Sequence, residues 1–289
     1  MKRNATEPCS IFHQGEIMSL INVDQEKCNQ DGLCVGECPV KIIAMGEDVP
    51  QIVAGGDAIC IRCGHCVAVC PTGALSHRDM APGDCPPVRG EWKLSPDQAE
   101  HFLRSRRSVR RYKKETVPRE TLERLVNIAS YAPSGHNSQP VFWTVIEKPE
   151  DVRNLAGLTV DWMNWMVKNH PDVARAMHMD LVAAAWEAGA DLVNRGAPHL
   201  IIAHGVKDFP PAQAAAILAL GYLELAAPPL GLGTCWAGYF TAAANTWPPL
   251  AKAIGLPENH TVFGAAMAGI PKWGYHRLPL RDTPRVNWK

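Results

Sequence analysis

The chain carries no net charge: Lys plus Arg and Asp plus Glu number 29 each. No global field therefore draws it to nucleic acid or a membrane surface, and a small molecule or another protein is the expected partner. It also lacks any unbroken run of about 18 apolar residues, the length a membrane-spanning helix needs. The opening residues, MKRNATEPCSIFHQGEI, are basic but have none of the apolar stretch of a secretory signal; the expectation is a soluble, unexported, cytoplasmic protein. The nearest approach to a span is the Ala- and Leu-rich stretch from Ala212 to Phe240, interrupted by Glu224, Pro228 and Pro229. A helix apolar on most of its faces reads as a buried core or subunit-interface helix. A G-x-G-x-x-G turn is missing too, because GLGTCW from Gly231 fails at its last position, and a Rossmann dinucleotide site is unsupported.

Cysteine is present in an uneven distribution. Of ten in 289 residues, seven lie between Cys28 and Cys70. Their x2 and x3 spacings, closed by proline, are metal-ligand grammar rather than a disulfide framework. Cys9, Cys85 and Cys235 stand alone and read as small buried or linker residues. CIRCGHCVAVCP, Cys60 to Pro71, is a full C-x2-C-x2-C-x3-C-P pattern. The same pattern laid on KCNQDGLCVGECP, Lys27 to Pro39, finds Cys28, Asp31, Cys34, Cys38 and Pro39, with aspartate where the second cysteine belongs. This is an internal repeat. Zinc sites separate two C-x2-C pairs by a longer spacer and lack the trailing C-P.

The tandem runs resemble those of the two-cluster bacterial ferredoxins, over about residues 18 to 80. The resemblance implies that three cysteines of each run bind one cluster and the fourth crosses to the other. Cys60, Cys63, Cys66 and Cys38 then hold a complete [4Fe–4S] cluster, and Cys28, Cys34 and Cys70 hold a second with Asp31 as its fourth ligand. The alternative, a degenerate half without metal, leaves unexplained why Cys28, Cys34 and Cys70 are kept. A carboxylate is a harder iron ligand than thiolate and can be protonated away, so this iron is expected to be labile. The cluster is [4Fe–4S] with an Asp ligand, or [3Fe–4S] once that iron is lost. SLINV and PQIVA are strand candidates, and Gly32, Gly36 and Gly64 allow loop amides to turn toward cluster sulfurs. His65 and His77 read as exposed loop residues.

Met80 to Pro96 packs proline and glycine without periodicity, which is a linker signal. The expected layout is an N-terminal extension at 1–17, a two-cluster domain at 18–80, a linker at 81–96 and a second domain at 97–289. That second domain opens on RSRRSVRRY, Arg104 to Tyr112. Pro118 and the set Leu122, Leu125, Val126 and Ala129 predict a helix, followed by YAPSGHNSQP (Tyr131 to Pro140) and a strand, VFWTVIE. GLGTCWAGYF (Gly231 to Phe240) and GIPKWGYHRLPLR (Gly269 to Arg281) come later.

Basic RRSxR, APSxxNxQP, GLGTCWxG and a late RLP, in this order, resemble the FMN-dependent nitroreductase family over about residues 100 to 285. The resemblance implies an α+β fold in which a mostly antiparallel sheet is flanked by helices, in a homodimer with FMN at the subunit interface. It matches Arg106, Arg107 and Ser108 to the FMN phosphate and ribityl chain, Arg110 to the pyrimidine edge of the ring, and Arg277 to the phosphate. Pro133, Ser134, Asn137 and Gln139 match the loop that reaches the flavin of the other subunit. Ala237 and Gly238 match the segment beneath the flavin, where a backbone amide faces N5. A guanidinium fork suits phosphate, and a cation at the pyrimidine edge stabilises reduced flavin. VDWMNWMVKNH, Val160 to His170, is read at even weight as helix core or as a pocket-lining lid through Trp162 and Trp165. His199 and His204, flanking LIIA, are expected to be structural.

The expected function is an iron–sulfur flavoprotein oxidoreductase passing electrons from clusters to FMN and on to an electron-poor small-molecule acceptor, nitroaromatic or quinone-like, with a ferredoxin-type donor. Three alternatives stand beside it: an NAD(P)H-dependent nitroreductase, an electron-transfer module relaying to a partner enzyme, and a flavin-modifying or dehalogenating relative.

Overall fold

The structure, a computed structural model, describes residues 19–289. The expected extension at 1–17, with Cys9, lies outside the described residues. The chain divides into two units between Glu91 and Trp92, inside the proline-rich stretch.

In the first unit the cysteine repeat is also a backbone repeat. Helices α1 (Leu33–Glu37) and α2 (His65–Val69) follow Gly32 and Gly64, which sit at φ 70° and 74°. That left-handed region carries a steric cost for any residue with a Cβ, so glycine opens both helices. Gln30 and Arg62, at matching places in the two loops, share a positive φ of 57° and 50°. Gly36 lies inside α1 rather than in a turn. Strand β1 (Ile21–Val23) pairs antiparallel with β4 (Leu75–His77), and β2 (Ile43–Met45) with β3 (Pro50–Ile52). Leu20, Ile21, Ile42, Ile43, Val67 and Leu75 close a small core around Cys34 and Cys38. A core of this size is marginal alone.

The second unit begins at α3 (Pro96–Ser105), where Ser95 and Gln98 cap each other's backbone N–H in a capping box. The expected helix is α4 (Arg119–Ala129), burying Leu122, Leu125 and Ala129. Its sheet runs in the order β5 (Phe142–Ile146), β6 (His199–Val206), β8 (His260–Gly269), β7 (Gly233–Trp236), antiparallel throughout. Side chains of β6 alternate between two cores, as the two-residue strand period requires. Leu200 and Ile202 join Val160, Met163, Phe240 and Leu250, whereas Ile201 and Ala203 join Leu125, Leu220 and Leu223. Helices α5 (Pro149–Asn169), α6 (Pro171–Ala176), α7 (Met179–Glu187), α9 (Gly238–Thr246) and α10 (Pro248–Ile254) therefore cover one face. Helices α4 and α8 (Pro211–Ala226) cover the other. This is a three-layer α+β arrangement.

Two readings of individual residues are settled by this packing. Trp162 is 4% exposed beside Met163 in the α5 core, which favours the helix-core reading of the two. Trp165 is half exposed, with its ring tilted against those of His170 and Trp247. His199 and His204 are buried, and His199 Nε2 accepts the Val117 N–H at 2.8 Å. Helix α8, apolar on nearly every face, buries Leu220 and Leu223 but leaves Ile217, Leu218 and Tyr222 on the surface.

Candidate cluster and flavin sites

In the first unit the repeat folds so that each run lends its last cysteine to the other. Cys38, Cys60, Cys63 and Cys66 line one cavity, closed by apolar groups including Ile42, Ile43 and Ile52. Burial pushes the Cys66 thiol up to about 11, and the charges of Cys63 and Cys38 push in the same direction. Such mutual repulsion between thiolates is relieved by a cation or a cluster. At the other end Cys34 is raised by burial, then by the charges of Cys70 and Asp31. Asp31 thus stands with Cys34 and Cys70, where the crossed pattern needs a fourth ligand. Its Oδ1 accepts the Leu33 N–H at 3.0 Å, which fixes the carboxylate at the start of α1. All described cysteines are free thiols. Among the described residues no three metal-ligating side chains converge on a single-ion site, and four of the thiols, Cys38, Cys60, Cys63 and Cys66, stand around a cavity instead. The donor set and its spread fit iron–sulfur clusters.

His77 departs from its expected place. It is the last residue of β4, 4% exposed, and burial holds its pKa below the ordinary imidazole range. Its Nε2 lies 3.7 Å from Cys60 Sγ. His65 does stay exposed, as the first residue of α2.

In the second unit the stretch after α3 runs beside β7. Ser108 bridges Thr234, and the Val109 N–H donates to Thr234 O at 2.8 Å. The GLGT sequence makes this approach possible. Gly231 turns at φ 74°, and a Cβ on Gly233 would lie 2.5 Å from Val109. An open cavity of about 460 Å³ forms there, lined by Arg107, Lys113, Lys272, Thr234 and Tyr275 with Glu224. Arg107 stacks 5.8 Å from the Tyr275 ring centre. Three cations beside an aromatic ring fit the phosphate end of a mononucleotide.

Of the flavin-site residues expected from sequence, only Arg107 lines this cavity. Arg106 is turned to Glu224, with Nη1 at 3.2 Å from Oε1 and 3.4 Å from Ser108 Oγ. Trp236 Nε1 donates to the other carboxylate oxygen of Glu224 at 2.9 Å. Arg110 donates to Ser108 O at 3.4 Å, and its charge reaches buried Cys235 together with that of Arg195. Ala237 donates its N–H to Ala265 O at 2.8 Å, so it has no amide to offer N5. Gly238 opens α9, where the first amides have no intrahelical acceptor, and it is the residue of this pair that presents one. Arg277 is exposed on the C-terminal segment. Pro133, Ser134, Asn137 and Gln139 form a separate loop, tied by Gln139 N–H to Ser134 Oγ at 3.0 Å, and none of them lines the Arg107 cavity.

Four contributors were missed from sequence: His77, Glu224, Trp236 and Arg195. Glu224 had a signal, being the one charged residue in the sixteen of α8, and a lone carboxylate in an apolar helix needs a partner. Arg195 had none. It is presented by a loop in which Asp191 accepts the N–H groups of Val193, Asn194 and Gly196.

The nitroreductase family model matches residues 103–270, and that of the 4Fe–4S dicluster domain matches residues 20–81. The chain belongs to the nitroreductase family. A 4Fe–4S dicluster domain stands in front of its nitroreductase domain, which makes it an oxidoreductase by family. Its first part is 44% identical over 64 residues to a ferredoxin 7Fe of Hydrogenibacillus schlegelii, covering 22% of this chain and 69% of that one. Its second part is 29% identical over 133 residues to an iodotyrosine deiodinase of Thermotoga neapolitana, covering 46% and 69%. Among solved structures, a nitroreductase with bound FMN from Desulfitobacterium hafniense superposes with a TM-score of 0.54 at 20% identity, covering 68% of this chain and 99% of that one. One from Bacteroides fragilis gives 0.51 at 22% identity, covering 66% and 95%. At these identities the two structures speak for the fold.

Proposed function

We propose that the protein takes up electrons singly through its N-terminal unit and delivers them in pairs, through FMN in its second unit, to an electron-poor organic acceptor of the nitroaromatic or quinone class. The observation that carries this reading is covalent: a dicluster domain and a nitroreductase domain occupy one chain. Flavin collects single electrons and releases them as a hydride equivalent from N5, which joins one-electron carriers to two-electron acceptors. The residues supply binding and electrostatics. Arg107, Lys113 and Lys272 neutralise the phosphate, Arg110 stands for the pyrimidine edge, and the Gly238 amide stands for N5. Arg106 orients the Arg106–Arg110 stretch through Glu224 and Ser108.

Cys38, Cys60, Cys63 and Cys66 hold the complete [4Fe–4S] cluster, and Cys28, Cys34 and Cys70 hold the other with Asp31. The relative's name counts seven irons, which suits one four-iron and one three-iron cluster. That supports Asp31 as the ligand of the iron most easily lost. A homodimer completes the flavin site in this reading, because the Ser134–Asn137 loop is absent from the Arg107 cavity and α8 leaves an apolar face exposed. Anaerobic protein is expected to carry about two clusters and one FMN per chain by iron, sulfide and flavin counts, and reduced ferredoxin is expected to reduce the flavin. Flavin reduction by NAD(P)H alone, with the clusters left oxidised, would overturn the path.

A further inference from the structure

His77 faces Cys60, and its other nitrogen settles where the ring proton sits. Nδ1 lies 3.1 Å from the backbone N of Asp79. A backbone N–H only donates, so Nδ1 accepts and the proton of the neutral ring is on Nε2. That N–H points at Cys60 Sγ, 3.7 Å away, within the reach of a large sulfur acceptor. The ring is buried and held at one end by Asp79, so the donor is preorganised. The Arg62 backbone N–H, at 3.4 Å, gives the same sulfur a second donor.

We propose that His77 is a positioning residue that raises the reduction potential of the complete cluster through an Nε2–H···Sγ hydrogen bond to Cys60, distinguishing it from the Asp31 cluster. The inference rests on the cluster reading above. When the complete cluster takes up one electron, negative charge grows on its sulfurs and the hydrogen bond strengthens, which favours the reduced form. No bond breaks, and the proton stays on Nε2. The internal repeat provides the contrast. Helices α1 and α2, and strands β2 and β4, are offset by the same 32 residues, and this offset carries His77 onto Met45. A thioether has no proton to donate. The same fold element therefore offers a donor to one cluster and none to the other.

The test is an EPR-monitored redox titration of the full anaerobic chain with dithionite, comparing wild type with His77→Phe and His77→Gln. In His77→Phe the reduced-to-oxidised ratio of the complete cluster at a fixed potential is expected to fall about tenfold, or about 59 mV for a one-electron couple. Gln places an amide N–H near the site of Nε2 and is expected to restore most of the ratio. The Asp31 cluster should be unmoved in both. An unchanged ratio in His77→Phe, or an equal shift of both clusters, overturns the proposal. Iron and sulfide counts separate the two levels of the reading: a wild-type chain without the complete cluster defeats the cluster assignment, whereas a loaded chain with an unshifted ratio defeats only the role of His77. If the Phe variant does not take up iron, wild type grown with 15N-histidine decides. Pulsed EPR of its reduced complete cluster should show a nitrogen coupling that His77→Gln lacks, and its absence from wild type overturns the hydrogen bond.

Discussion

Asp31 shares the neighbourhood of Cys34 and Cys70, and in the proposed ligand set its carboxylate is the least covalent iron ligand. Asp31→Cys is expected to slow the oxidative loss of iron from that cluster, read as a [3Fe–4S] EPR signal that grows on air exposure in wild type and stays small in the variant. Equal growth in both would remove Asp31 from the ligand set. His204 gives a second residue-scale prediction. It lies 2.9 Å from His260 and 3.1 Å from Thr144 Oγ1, against the Phe142 ring. Burial, then the neighbouring His260, lowers its pKa to about 4. A histidine with a depressed folded pKa is bound by fewer protons folded than unfolded between the two values, so stability is full above about 6.5 and falls as pH drops toward 4. A shift of this size corresponds to a loss on the order of 3 kcal/mol across the window. All nine tryptophans lie at or after Trp92, so urea melts followed by tryptophan fluorescence report the second unit. The wild-type midpoint should fall between pH 7 and pH 5, and His204→Phe should flatten the dependence.

Elements show why some of the molecule was legible in sequence and some was not. The repeated cysteine grammar fixes its own backbone, so the α1 and α2 turns and the β1 and β3 strands could be read directly. The α4 period likewise gives its buried face. Contacts between distant segments were not legible. His77 looks like a loop residue until β4 pairs with β1, and Arg106 looks like a phosphate ligand until α8 delivers Glu224 to it. The α5 aromatics were ambiguous because one amphipathic pattern serves a core or a lid, and only the neighbouring helices place Trp162 inside. Strand β7 shows how an element positions a site. Gly233 admits Val109 against the strand, and the Val109 N–H is bonded to Thr234, so the Arg106–Arg110 stretch cannot retreat without losing that bond. Gly233→Ala is expected to cost about 1–3 kcal/mol through overpacking. It should also weaken FMN retention on gel filtration while leaving cluster content unchanged. Full retention of FMN would show that the strand and the flavin site are independent.

At the scale of the whole molecule, completeness of the flavin site and direction of electron flow are separate questions. If a second copy supplies the Ser134–Asn137 loop, mixing Arg107→Ala chains with Asn137→Ala chains should restore an intact flavin site in heterodimers, although each variant alone binds FMN weakly. Wild-type affinity in a demonstrated monomer would sink that arrangement. The fusion supports the proposed direction. Tethering holds a carrier near its acceptor at millimolar effective concentration for short linkers, and this advantage exists only if electrons enter singly from a low-potential protein donor. A hydride delivered straight to the flavin would make the first unit redundant. The double substitution Cys60→Ser and Cys63→Ser removes two of the proposed ligands of the complete cluster, and both lie outside residues 103–270. The variant should therefore keep its FMN and its turnover with dithionite, and lose turnover driven by reduced ferredoxin by a factor of ten or more, about 1.4 kcal/mol in barrier terms. Equal ferredoxin-driven rates in variant and wild type would place electron entry at the flavin itself, and a fast NAD(P)H reaction in both would identify hydride as the donor.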